Sequence, residues 1–397
     1  MDSAVLHSGE MKKYKYLILA VFILTLITGF ILGKVLFPNF FNKNQINLSQ
    51  TPAGKIDETQ KINSDRQTAI TRAIEKVSPS VVGINVEEVR EIQDPFSNDP
   101  FFQQFFGNVE PQKQVVRGLG SGYIISDAGY ILTNDHVAGN ATKISVTLTT
   151  GETVDAKLIG SDPNTDVALL KIDKNNLPFI NFGNSDNIII GEWVIALGNP
   201  FGLFEINDKP TVTVGVVSAT KMKVVAEGKR VYKDMIQTDA SINSGNSGGP
   251  LVDVEGNVIG MNTIIFTGSQ YSSGSIGVGF SISINRVKKI MEEIKQNGKI
   301  ERNFNPGFKI QAIDERLAKY YNLSVKQGVI VVQVLKGGNA DKAGLQAEDI
   351  ILEANGEKIK NEQDLILIIN DLRTGDSVKL KVLRNNSEKE IELKLSA

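Results

Sequence analysis

The chain has no cysteine. Disulfides, thiolate nucleophiles and cysteine metal sites are therefore excluded, and stability must come from packing. Histidine is nearly as scarce: 397 residues carry two, His7 and His136. Any chemistry that needs an imidazole has one candidate in the main body. A surplus of charge is missing too. The net charge is −2, which gives no electrostatic footprint for nucleic acid. There is no internal repeat, no low-complexity tract and no Walker-type phosphate loop. "GLGSG" at 118–122 is not a dinucleotide loop, because its third glycine comes one residue early and a strand follows. Neither a cofactor nor a metal site is expected.

One long apolar run is present. Residues 16–37 read "YLILAVFILTLITGFILGKVLF", uncharged from Leu17 to Gly33. That is long enough for a bilayer core of ~30 Å. It exceeds a usual signal-peptide core and no A-x-A-like site follows, so an uncleaved transmembrane anchor is expected. Lys12, Lys13 and Lys15 precede it, placing residues 1–15 in the cytoplasm and the body outside it, periplasmic or cell-surface. Residues 38–63 are rich in Asn, Gln and Lys and read as a linker.

The length of 397 residues suggests two or three domains. Ser64 and Gln67 fit a capping box ahead of a helix with Ile70, Ile74 and Val77 on one face, ended by Pro79. From Val81 to Ile284 about a dozen short β runs follow one another, with hairpin signals at "TTGET" and "VEGNV". Such a series argues for barrels or sandwiches. Residues 94–107 interrupt it with five phenylalanines, which call for an apolar surface or another subunit to pack on. Residues 283–299 predict a helix with Val287, Ile290, Met291 and Ile294 inward and Gly298 as its stop. The last ~95 residues read as a separate α+β unit.

"SINSGNSGGPLV" at 241–252 surrounds one serine, Ser247, with three glycines. A serine hydroxyl is a poor nucleophile without an adjacent base. His136, in "YILTNDHVAGNA", is the base candidate. Asp166, in "DPNTDVALLKI", stands before an apolar strand where a buried carboxylate could hold the second ring nitrogen. Asp135 and Asp162 compete for that role. Asp135 neighbours His136, so the two side chains diverge on an extended chain. Asp162 precedes Pro163 and reads as a turn former. Aiming successive amides at one oxyanion needs unusual φ/ψ and no nearby Cβ, which glycine supplies. The amides of Gly245 and Ser247 are the candidate oxyanion hole.

The order His136, Asp166, Ser247 resembles the chymotrypsin-like serine proteases. "TNDHV", "TDVALLKI", "ALGNPFG", "QTDASINSGNSGGPL" and "GVGFSI" are similar to segments of the HtrA/Deg family. That resemblance, covering 64–397, implies a mainly β fold with two six-stranded barrels in a protease domain at 64–300, then a PDZ domain at 301–397. It also implies homotrimers and misfolded or regulatory protein substrates. The specificity position six residues before the nucleophile is Ser241, not a carboxylate, so small or medium apolar P1 residues are expected, with Ile264 also lining the pocket. Asp239 reads as structural. The C-terminal unit resembles a PDZ domain, which adds a peptide strand to a sheet edge and holds a terminal carboxylate in backbone amides. Its carboxylate loop falls at Pro306, Gly307 and Phe308, where Pro306 lacks an N–H. Glu348 stands where glycine is common, so a positive φ there would be strained. The alternative to an active protease is a catalytically restrained holdase or PDZ scaffold.

Overall fold

The computed structural model describes residues 66–92, 112–199, 204, 207–224, 230–243, 245–265, 275–313, 315–320 and 327–397, and a few positions between 21 and 32. The chain divides into two units, Met1–Asn63 and Ser64–Ala397. In the first, the described positions Val21, 23–25, 27–29, 31 and 32 are helical. Among the described residues no helix is long and apolar enough to cross a membrane. Most of the expected anchor at 16–37, the linker at 38–63 and the phenylalanine-rich stretch at 94–107 lie outside the described residues.

The second unit opens with helix α1 (Ala69–Val77). The expected box at Ser64 and Gln67 is displaced. The cap is Thr68, whose hydroxyl accepts the Thr71 N–H while the Thr71 hydroxyl accepts the Thr68 N–H. A threonine pair at the same spacing satisfies the same two donors four residues later; Ser64 itself lies outside the described residues.

The first barrel is built from β1 (Val81–Ile92), β2 (Gln112–Ile124), β3 (Tyr130–Thr133), β4 (Lys143–Thr147), β5 (Thr153–Asp162) and β6 (Val167–Ile172). It closes in the order β1-β2-β3-β6-β5-β4. "GLGSG" lies inside β2, as its strand context required. A four-residue helical turn, α2 (Asp135–Ala138), follows β3. Ile84, Ile124, Ile131, Val146 and Leu170 fill the interior.

β7 (Asn181–Phe182) leads to β8 (Trp193–Gly198), β9 (Thr211–Val224), β10 (Tyr232–Thr238), β11 (Pro250–Val252), β12 (Asn257–Ile265) and β13 (Gly279–Ser283). The order is β11-β8-β9-β10-β13-β12-β7, and β11 also pairs with β12. Six strands thus close on themselves and β7 adds a seventh, parallel to β12. A shared core joins the barrels, with Tyr123, Leu132 and Leu169 from the first against Ile195, Leu197 and Met261 from the second. The helix expected at 283–299 is α3 (Ile284–Asn297), its four predicted apolar residues buried and Gly298 left-handed at its end. Its C-terminus docks on β5 so closely that a Cβ on Gly160 would lie 1.9 Å from the Gly298 carbonyl.

The C-terminal sheet comprises β14 (Phe308–Ala312), β15 (Val329–Val334), β16 (Ile350–Ala354), β17 (Glu357–Lys358), β18 (Ser377–Arg384) and β19 (Ser387–Lys394). Helices α4 (Glu315–Tyr320), α5 (Asn339–Lys342) and α6 (Glu362–Asp371) lie between its strands in sequence. β14 is one edge strand and β19 the other, in the order β14-β15-β16-β18-β19. Glu348 does adopt φ 72°, left-handed backbone that penalises a Cβ by roughly 1–2 kcal/mol.

This sheet domain is pinned to the barrels by polar contacts. Arg286 on α3 pairs with Asp371 at 2.6 Å, and Glu293 on α3 pairs with Arg373 at 2.9 Å. Arg302 meets Asp162, which is 1% exposed. Asn164 donates to the Asn370 carbonyl at 3.0 Å. Removing one partner of a buried pair leaves the other charge desolvated and uncompensated, at about 3–5 kcal/mol. Arg302→Met should lower stability by about 3 kcal/mol in urea titration, and adding Asp162→Asn should recover part of it. No recovery would mean that lost packing, not a stranded carboxylate, sets the loss.

Candidate active site

Strand register brings the distant residues together. Thr133, the last residue of β3, lies opposite Ala168 in β6. The residues just after β3 and just before β6 must therefore meet, and these are His136 and Asp166. The second barrel repeats the device. Pro250, which opens β11, lies opposite Met261 in β12. Ser247, three residues before the one, comes beside Thr263, two residues after the other.

Asp166 is fully buried and takes φ 60°. Its carboxylate accepts the Thr263 hydroxyl at 2.6 Å, the Tyr232 hydroxyl at 3.1 Å and the His136 backbone N–H at 2.9 Å. His136 Nδ1 lies 2.8 Å from Oδ2 and 3.0 Å from Oδ1. An acceptor on that side places the proton on Nδ1 and the free lone pair on Nε2. Arg230 adds a charge at 3.6 Å. Asn134 donates to the Asp166 carbonyl at 2.9 Å, fixing the backbone. Burial alone pushes the Asp166 carboxyl up. The hydrogen bond and charge of His136, the charge of Arg230 and the Thr263 hydroxyl outweigh it and hold the group below the ordinary aspartate range. Burial and the Asp166 charge raise the Tyr232 phenol to about 12, so it remains a donor.

His136 and Ser247 line one cavity of about 440 Å³, with Val86, Val116, Leu119 and Gly245. The Ser247 hydroxyl donates to the Thr263 carbonyl at 3.1 Å. Gly245 has φ 113°. Among the described residues neither its N–H nor that of Ser247 has an intramolecular acceptor. The Gly245 carbonyl accepts the Ser121 hydroxyl and the Ser247 carbonyl accepts the Ser121 N–H at 2.9 Å, so β2 braces the turn.

The competing acids take other partners. Asp135 lies 3.9 Å from Arg230, and burial, partly offset by a Ser161 hydrogen bond, raises its carboxyl. It diverges from His136 because both sit on a helical turn, not because the chain is extended there. Asp162 accepts the Asn164 N–H at 3.3 Å as a turn former and is also the partner of Arg302. Asp239 accepts the Val216 N–H at 2.7 Å. The Ser241 carbonyl accepts the Thr213 hydroxyl at 2.8 Å. Ile264 lies in β12 opposite Phe280, its side chain outside the described residues. Pro306, Gly307 and Phe308 form the turn into β14, with Gly307 at φ 83°. Sequence reasoning passed over Thr263, Tyr232 and Arg230. Only Thr263 carried a signal, standing one residue from Ile264 in the strand that follows the serine turn. Among the described residues no acidic or histidine cluster could hold a metal ion.

The lowered Asp166 value carries a pH signature. A carboxylate stronger in the fold than the ordinary ~3.9 stabilises fully above that pH and loses its contribution as pH falls through the folded value. Thr263→Val removes one charge-assisted bond and should lower neutral stability by about 1.5–3 kcal/mol. The gap to the parent protein in urea titrations should narrow as pH drops below about 4. A gap independent of pH would show that Asp166 ionisation is not involved.

Comparison with known proteins places this geometry. A trypsin-like peptidase family model matches residues 120–261 and a PDZ family model matches 274–395. A probable periplasmic serine endoprotease, DegP-like, of Chlamydia muridarum is 44% identical over 311 residues, which are 75% of this chain and 59% of that protein. The chain thus spans about three-fifths of the length of the chlamydial relatives. The protein of the same name from Pseudomonas putida F1 is 38% identical over 344 residues, covering 82% of this chain and 70% of the relative. A solved structure of the HtrA-type protease AlgW with decapeptide superposes with a TM-score of 0.64 at 36% identity, covering 83% of this chain and 98% of that one. Two barrels followed by a PDZ-type sheet, with relatives this similar over most of their length, make the chain a member of the HtrA/DegP-like family of trypsin-like serine endoproteases.

Proposed function

We propose that the chain is an ATP-independent serine endopeptidase in which Ser247 is the nucleophile, His136 the general base and then acid, and Asp166 its orienting carboxylate. The contact between His136 and the buried Asp166, with His136 and Ser247 lining one cavity, is the observation that carries this reading. The Ser247 hydroxyl turns about χ1 from the Thr263 carbonyl to Nε2, a move between staggered wells. Oγ attacks the peptide carbonyl as its proton passes to Nε2. The amides of Gly245 and Ser247 receive the oxyanion. Nε2 then protonates the departing amine, and a water, deprotonated by the same nitrogen, releases the acyl group. Asp166 stays ionised throughout and stabilises the imidazolium. Ser241 and Ile264 shape a pocket for small or medium apolar residues, since no carboxylate stands at 241 to select a basic side chain.

The protease domain is assigned to 64–300 and the PDZ domain to 301–397, with residues 16–37 anchoring the chain and the body extracytoplasmic, as for the periplasmic relatives. Substrates are misfolded or regulatory proteins, and peptides engage the PDZ domain. Ile189, Ile190 and Trp193 are 69%, 62% and 55% exposed, an apolar patch suited to a homotrimer. One observation favours the restrained-scaffold alternative: the nucleophile candidate is hydrogen-bonded away from the imidazole.

A fluorophosphonate probe separates the two readings. Labelling at Ser247, with casein cleavage abolished in Ser247→Ala and the fold intact, is expected of the enzyme; absence of labelling supports the scaffold. His136→Ala should likewise abolish casein cleavage with the fold intact. Cleavage retained by that variant would remove His136 as the base.

A further inference from the structure

The turn into β14 is where a domain of this type holds a terminal carboxylate in successive amides. Here the three positions offer one free donor. Pro306 has no N–H. The Gly307 N–H already donates to Asn305 Oδ1 at 2.9 Å. The remaining amide belongs to Phe308. Because the Gly307 carbonyl accepts the Leu335 N–H at 2.8 Å, the next residue turns its N–H to the open edge.

The turn is tied down in that state. The Pro306 carbonyl accepts the Ala340 N–H at 3.1 Å, and Asn339 Nδ2 donates to the Asn305 carbonyl at 2.8 Å. Asn305 Oδ1, an acceptor, occupies the donor that a carboxylate would need, and two acceptors cannot share one N–H well. The strand edge itself stays usable. Phe308 and Ile310 alternate outward, and both side chains pack partly on the domain core. The run is short, because Glu362 Oε1 accepts the Ala312 N–H at 2.8 Å and closes the far end.

We propose that the edge of β14 takes an extended internal stretch of polypeptide, by strand addition at Phe308 and Ile310, and does not depend on a C-terminal carboxylate. This rests on the reading that the PDZ domain binds peptide. The ligand class is an unfolded segment with apolar residues anywhere along a chain.

The test uses the full chain carrying Ser247→Ala and a fluorescein-labelled decapeptide ending in Leu-Val-Ile. The peptide is made as the free acid, as the C-terminal amide, and with two serines appended beyond the isoleucine. The three dissociation constants from fluorescence anisotropy should agree within about threefold. A free acid bound about tenfold or more tighter, as charge-assisted amide contacts would give, overturns the inference and leaves peptide binding standing. Binding by none of the three overturns the peptide-binding reading and this inference with it. A gain-of-function variant checks the donor count. Asn305→Ala with Pro306→Leu frees one amide and adds another, so it should acquire about a tenfold preference for the free acid. Acid and amide still bound alike by that variant, with thermal unfolding unchanged, would show that the amides do not set the preference.

Discussion

A single carboxylate organises the catalytic half of the molecule. Asp166 is fully buried, and an ionised group out of water is tolerated only with near-complete hydrogen bonding and a counter-charge. It receives donors from α2, β10 and β12, with Arg230 close by. Tyr232 and Thr263 belong to the second barrel and His136 to the first. The seam between the barrels is therefore fixed by the same contacts that orient the imidazole. Either barrel alone would leave Asp166 without some of these donors.

The loop that leads into Asp166 is held by the PDZ-type domain, by the segment before it and by the second barrel. Asp162 meets Arg302, Asn164 reaches the Asn370 carbonyl, and Val231 donates to the Asn164 carbonyl at 2.6 Å. Asp162 and Asn164 lie within four residues of the carboxylate. The Asp166 backbone, at φ 60°, is in a region that costs a non-glycine residue of order 1–3 kcal/mol and persists only where its surroundings over-determine it. These ties, with the Asn134 bond to its carbonyl, supply that over-determination.

What the sequence revealed follows from range. Helix α3 was legible because Val287, Ile290, Met291 and Ile294 repeat at the helical period and Gly298 stops them, all within 12 residues. The hairpins were legible from their turn residues. His136 was legible through scarcity, since no other imidazole stands in the main body, and through its segment "TNDHV". Asp166 stood out as an acid ahead of an apolar strand. Arg302, by contrast, finds Asp162 across 140 residues, and Thr263 finds Asp166 across 97. Nothing local marks Arg302, because an arginine in a connector is an ordinary choice, and Thr263 is marked only by its place beside Ile264 in the strand after the serine turn. The α1 cap falls at Thr68 and Thr71, a pair with the same spacing as Ser64 and Gln67, so spacing alone does not single it out. The side-chain rotamer of Ser247 was beyond reach, because staggered wells differ by less than any sequence pattern encodes.

Thr263 separates what is rigid in the site from what moves. Its hydroxyl serves Asp166 through a charge-assisted bond, of about 1.5–3 kcal/mol, and its carbonyl holds the Ser247 hydroxyl through a neutral one, of about 0.5–1.5 kcal/mol. Breaking the first would also strand a buried charge, so His136 and Asp166 stay where the fold puts them. Breaking the second strands no charge, because both partners are neutral and, on the proposed reading, the hydroxyl exchanges one acceptor for another, Nε2. The smaller interaction therefore yields first when substrate enters. On the proposed reading, the Ser247 hydroxyl held on a main-chain carbonyl can be released to the imidazole by the substrate backbone itself, without rearrangement of the barrels.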